Sequence, residues 1–127
     1  MKQMTKDWLE YADRDYLNAE ALIKVKRYHG ALLFYQQSVE KTLKAYLIEN
    51  MGEKIPFVHD IRYLLQNTGL SMGELNILDL KELSLVYTRI RYPDMDRKHY
   101  TKTSIVLDLI SQFQFLYTWI QKQFKNK

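Results

Sequence analysis

From Ile105 to Phe124 the chain places Ile105, Val106, Leu109, Ile110, Phe113, Leu116, Trp119, Ile120 and Phe124 at helical steps, with no glycine or proline among them. That spacing gathers these side chains on one side of an α-helix; in a strand it would scatter them over both faces. A stripe of this length has to be buried, and other helices must supply the cover. The spacing predicts a last helix opened by Thr101 or Thr103 and reaching Phe124. Phe115 and Tyr117 widen its apolar arc beyond what one core needs, which predicts a second copy of the chain against it, a homodimer.

The same period recurs upstream. Trp8, Ala12, Tyr16, Ala19 and Ile23 predict a first helix over Lys6 to Lys26, with Thr5 as its N-cap. Asp7 and Glu10 near its start and Lys24, Lys26 and Arg27 near its end suit the helix dipole. A second helix is expected from Gly30 to Asn50, ending at Gly52. Leu32, Tyr35, Val39, Leu43, Tyr46 and Leu47 form its apolar stripe, widened by Leu33 and Phe34. Gln36, Gln37, Glu40, Lys41 and Lys44 read as its polar face, with Glu40 and Lys44 an i,i+4 pair worth about 0.2–0.5 kcal/mol. After Pro56, a short third helix runs from Asp60, its cap, to Asn67 and closes at Gly69. A fourth runs from Ser71 to Ile90, with Leu75, Leu78, Leu83 and Val86 inside. No segment alternates with period two. The expected fold is all-α, an antiparallel up-and-down bundle of four to five helices in one domain over residues 1–127.

Composition narrows the class. The chain has no cysteine, so disulfide and thiolate chemistry are excluded, and a reducing cytoplasm fits. Its start, Met-Lys-Gln-Met-Thr-Lys-Asp-Trp, has no apolar h-region, and no run approaches the length of a membrane span. Neither a signal peptide nor a membrane partner is expected.

Charge is distributed unevenly. Residues 1–87 hold 11 Lys/Arg against 12 Asp/Glu, and residues 88–127 hold 8 against 3, so the whole formal charge of +4 arises in the last third. The excess begins in Thr88–Tyr100, which gathers Arg89, Arg91, Arg97, Lys98 and His99 beside Tyr92 and Tyr100. Pro93 removes a backbone donor and disfavours the helical region at Tyr92, so a chain break is expected here. Localised positive charge attracts polyanions by steering and counterion release. The competing reading is a solvated basic face with no ligand.

Read in order, several segments resemble the HEPN family of small helical domains. Asp7-Trp8-Leu9-Glu10-Tyr11-Ala12-Asp13-Arg14-Asp15 is similar to its opening. Tyr28-His29-Gly30-Ala31 and Gln36-Gln37-Ser38-Val39-Glu40-Lys41-Thr42-Leu43-Lys44-Ala45-Tyr46-Leu47 resemble its second helix, and His59-Asp60-Ile61-Arg62-Tyr63-Leu64-Leu65 its third element. Arg91-Tyr92-Pro93-Asp94 is similar to a sequence before the last helix in one branch. The resemblance covers almost the entire chain. It implies a bundle of four to five helices, usually dimeric, whose cleft faces nucleotide or RNA. Many members are metal-independent endoribonucleases with an Arg and a His separated by four to six residues. Others lack catalysis and partner small nucleotidyltransferases, often as toxin–antitoxin pairs. Carried over, the arginine falls on Arg91 and the histidine on His99, with seven residues between them and Tyr92-Pro93 after the arginine.

On this reading His99 serves as acid or base, since an imidazole titrates near neutrality. Arg91 forks onto the phosphate and stabilises developing charge. A symmetric dimer would bring two such histidines into one cleft. Arg89, Arg97 and Lys98 would hold RNA or nucleotide phosphates, and Tyr92 and Tyr100 would stack a base. The structural alternative pairs Arg91 with Asp94 or Asp96. His59 reads as local hydrogen bonding at a helix cap, and His29 as part of the turn between the first two helices. No metal site and no cofactor is expected: there is no Glu-x-x-His pair, glycine-rich phosphate loop, nucleophile elbow or Asp cluster. The over-long Arg–His spacing favours a binding module that works with a separate nucleotidyltransferase chain. An endoribonuclease toxin using Arg91 and His99, or a plain interaction bundle, are the alternatives.

Overall fold

The computed structural model of the 127-residue chain describes residues 1–52 and 54–125. The described residues are helical, without a strand: α1 Gln3–Lys24, α2 Tyr28–Met51, α3 Ile61–Asn67, a 3₁₀ turn Gly73–Ile77, α4 Leu80–Ile90, α5 Pro93–His99 and α6 Thr103–Lys125. Cross-helix bonds fix the directions. Thr5 donates to Glu49 and Ser38 to the Ala12 carbonyl, so α1 and α2 are antiparallel. Gln114 donates to the Tyr35 hydroxyl and Phe124 packs on Tyr46, so α6 runs parallel to α2. The Asp79 N–H bonds Gln112 while Glu82 and Tyr100 line a common groove, so α4 runs against α6. The four long helices therefore alternate up and down, with α3 and α5 as short additions.

Helix α2 is the hub: α1, α3, α4 and α6 all pack on it, and 14 of its 24 residues are buried. Its apolar surface is accordingly spread around the axis rather than confined to one stripe. Buried side chains from all the long helices merge into one core, including Leu32, Leu43, Leu64, Leu83, Phe113 and Leu116.

Helix ends explain where the sequence reading shifts. Thr5 does not cap α1; it lies inside the helix, fully buried, with its hydroxyl on Glu49 at 2.9 Å. The Lys2 amide and the Thr5 hydroxyl both donate to Glu49 and hold its carboxyl below the usual range. At the other end Arg27 N–H bonds the Leu22 carbonyl and Lys26 N–H that of Ile23, a Schellman closure with Lys26 at φ 61°. Asp60 caps α3 as expected, accepting from Tyr63 N–H at 3.1 Å. The single helix expected over Ser71–Ile90 is instead a 3₁₀ turn and α4, because Leu78 is extended and Asp79 opens a new N-cap onto Glu82 N–H. Asp79 and Glu82 stand in capping-box spacing.

Tyr117, expected to widen the outer face of the last helix, is buried. Its ring stacks on Tyr16 at 4.3 Å, and Tyr16 meets Tyr35 edge-on at 5.1 Å. Burial, with the nearby Asp13 carboxylate and Tyr16, pushes the Tyr117 hydroxyl up to about 12. An unfolded tyrosine ionises near pH 10. Stability from this group is thus complete below about pH 10 and is lost as pH rises towards 12, because the unfolded chain releases its proton first. Urea midpoints should stay level to about pH 10 and then fall, with a shallower fall in Tyr117→Phe; identical alkaline profiles for the two proteins would refute this.

Candidate functional site

The Arg91–Tyr100 segment is not the open break expected from Pro93. Pro93 ends α4 and begins α5: Tyr92 is extended at φ −111°, ψ 125°, and Pro93 takes the first helical position, where a missing N–H costs nothing. Asp94 and Asp96 occupy the first turn and Arg97, Lys98 and His99 the last, the order the helix dipole favours. His29, which belongs to the first turn of α2, faces Asp96 through Nδ1 at 2.7 Å and ties α5 to that end of the bundle.

Arg91 is the C-cap of α4 and is exposed. Its guanidinium lies 4.4 Å from the Tyr87 ring centroid and 5.6 Å from that of Tyr92. Among the described residues no carboxylate lies within 4.0 Å of it, so the alternative pairing with Asp94 or Asp96 is not made. A guanidinium seated on aromatic rings keeps its donors free for a planar anion.

The Tyr87 ring carries a second group. His59 stacks on it with centroids 3.7 Å apart and planes 20° from parallel. His59 Nδ1 faces Glu40 Oε1 at 2.8 Å; the other Glu40 oxygen accepts from Lys44 at 3.0 Å, and Gln36 donates to Glu40 at 3.0 Å. Glu40 and Lys44 side chains are only 9% and 6% exposed, and the Lys44 ammonium lies 5.8 Å from the Trp8 ring. Gln36, Glu40 and Lys44 are therefore not a solvated face of α2. They form an enclosed polar row leading from Trp8 through His59 to the Tyr87–Arg91 surface.

The other expected site residues are divided. Tyr92, Arg97 and Lys98 are exposed; Tyr92 adjoins Arg91, whereas Arg97 and Lys98 lie in the last turn of α5. Arg89 turns the other way, with both Glu82 oxygens at 3.2 Å. Tyr100 is 3% exposed; burial pushes its hydroxyl up, partly opposed by the Arg89 charge, and no ring face is open to a base. His99 lines a groove of about 350 Å³ with Asp79, Glu82, Tyr100 and Asp108, three carboxylates among them. Arg91 and His99 share no contact. The length of α5, about 9 Å at 1.5 Å per residue, stands between them in one chain. No three His, Asp or Glu side chains among the described residues converge as metal ligands.

His59 escaped its sequence reading because its partners are remote in the chain. The available signal was the row Gln36, Glu40, Lys44 at steps of four in a helix otherwise apolar on most sides.

A family model, the HEPN domain, matches residues 5–123. No curated protein and no solved structure matches the chain. No described helix is long and apolar enough to cross a membrane.

Proposed function

The chain belongs to the HEPN family, and we propose that it binds single-stranded RNA or a nucleotide at the α4–α5 junction. Arg91 forks onto a phosphate, Tyr92 offers a ring to a base, and Arg97 and Lys98 hold the flanking backbone. What supports this reading is the Arg91 guanidinium itself, displayed against two tyrosine rings with no carboxylate within 4.0 Å among the described residues. The seven residues between Arg91 and His99 favour a module that acts beside a separate nucleotidyltransferase chain, in a toxin–antitoxin-like pair, over a nuclease.

Fluorescence anisotropy with a labelled single-stranded RNA oligonucleotide tests it. Arg91→Ala should weaken binding about tenfold, the worth of a hydrogen bond to a charged group. The salt slope should fall by about 0.7 for one lost phosphate contact on a single strand. The melting temperature should stay within a degree or two, since an exposed unpaired cation contributes little to folding. Equal RNA affinity in the variant, or a large loss of melting temperature, would assign Arg91 to structure. RNA cleavage in EDTA that disappears in His99→Ala would replace the binding module with the endoribonuclease, drawing Arg91 and His99 from two copies.

A further inference from the structure

Resting on that reading of Arg91, we propose that His59 is the second anion-binding group of the same site. Its imidazole, oriented by Glu40, holds an RNA phosphate beside the one that Arg91 takes. The His59 ring and the Arg91 guanidinium lie 3.7 and 4.4 Å from one Tyr87 ring centroid; the stacked imidazole covers one face, so the guanidinium lies over the other, with the tyrosine ring between them. A strand passing the edge of the Tyr87 ring can offer one phosphate to Arg91 and a neighbouring one to His59, each through charge-assisted hydrogen bonds.

The imidazole is built for an outward task. Glu40 is acceptor-only as a carboxylate, so Nδ1 of His59 donates to it and fixes the tautomer. Nε2 then has no partner among the described residues, and the side chain is 46% exposed. Glu40 cannot swing away, because Lys44 and Gln36 hold it inside the bundle. The stack on Tyr87 sets the ring plane. An imidazole fixed by a carboxylate on one nitrogen and open on the other is preorganised for a ligand at the open nitrogen.

Holding a phosphate requires a proton on Nε2, giving an imidazolium. The charged and titratable groups around it are Glu40 and Lys44 from α2, Asp60 beside it, and Tyr87 and Arg91 from α4. A bound phosphate adds negative charge at the open nitrogen, so binding takes up a proton and tightens as pH falls.

The experiment combines RNA anisotropy at about pH 5.5 and 8.0, bracketing the imidazole range, with NMR of the three histidine rings. Wild type should bind at least about fivefold tighter at the lower pH, and the His59 ring signals should move at RNA saturation. His59→Gln keeps a donor for Glu40 but has no proton to gain. It should bind several-fold more weakly at the lower pH and lose the pH dependence. RNA binding that needs Arg91 but ignores pH and His59→Gln overturns the His59 proposal and leaves the Arg91 reading standing. So does a pH dependence that vanishes in His99→Gln instead. Absence of RNA binding by the wild type overturns both. Should His59→Gln fail to fold, an unmoved His59 ring signal in RNA-saturated wild type still overturns the proposal.

Discussion

Glu40→Ala should destabilise the protein by about 3–5 kcal/mol, the cost of leaving a buried charge without its partner. The pair is a helical i,i+4 ion pair of the kind that on a surface contributes only about 0.3–0.5 kcal/mol. Arg14 and Glu10 make such a pair at 3.2 Å with side chains 58% and 61% exposed. Glu40 and Lys44 have the same spacing and nearly the same distance, at 9% and 6%. Burial decides the difference. Without Glu40, the Lys44 ammonium keeps only the Trp8 ring 5.8 Å away, Gln36 loses its acceptor and His59 its anchor. Replacing both charges with apolar side chains, Glu40→Leu with Lys44→Met, should restore most of the loss, because neither charge then has to be desolvated. Urea denaturation of Glu40→Leu, Lys44→Met and the double variant measures the coupling. A loss below about 1 kcal/mol in Glu40→Ala would mean that water or rearrangement reaches Lys44 easily.

Phe113→Ala should cost about 3–5 kcal/mol, the usual range for removing a buried aromatic ring. Phe113 is fully buried on the inner side of α6, the helix that packs along the hub. Phe115, two residues further on, is 40% exposed. Its alanine variant should stay within about 0.5 kcal/mol, as surface changes do. Chemical denaturation of both at equal protein concentration gives the comparison. Equal losses would refute the assignment of inner and outer sides to α6. A loss at Phe115 that grows with protein concentration would instead show a second copy covering it.

The long helices were legible because periodicity reports the average environment of many residues at once. Ile105 to Phe124 and Trp8 to Ile23 fall within α6 and α1, and Asp60 caps α3. The misreadings lie where one residue has two possible roles. Thr5 can cap a helix or turn inward onto Glu49. Pro93 can stop one helix or start another, and here it does both. Asp79 interrupted the expected Ser71–Ile90 helix through a side-chain bond to Glu82 N–H, a local signal outweighed by the apolar pattern around it.

The placement of the candidate site's side chains was only partly legible. Arg91 stood out by charge, and the structure leaves it exposed with no carboxylate within 4.0 Å among the described residues. His59 lies 19 residues from Glu40, a distance no spacing rule links. Gln36, Glu40 and Lys44 looked like a wet face because their polarity was judged without their neighbours. Only the enclosure of α2 on most sides turns that row inward.

Helix α5 packs on α4, is held to α2 by the His29–Asp96 contact, and carries no buried residue. Undocking it uncovers little of the interior, whereas opening any helix that leans on the hub strips the core. The stretch bearing Arg97, Lys98 and His99 can accordingly loosen and re-seat while the rest of the molecule stays folded. Arg97 and Lys98 thus stand on a hinged rim against a rigid wall, with Arg91 at the hinge.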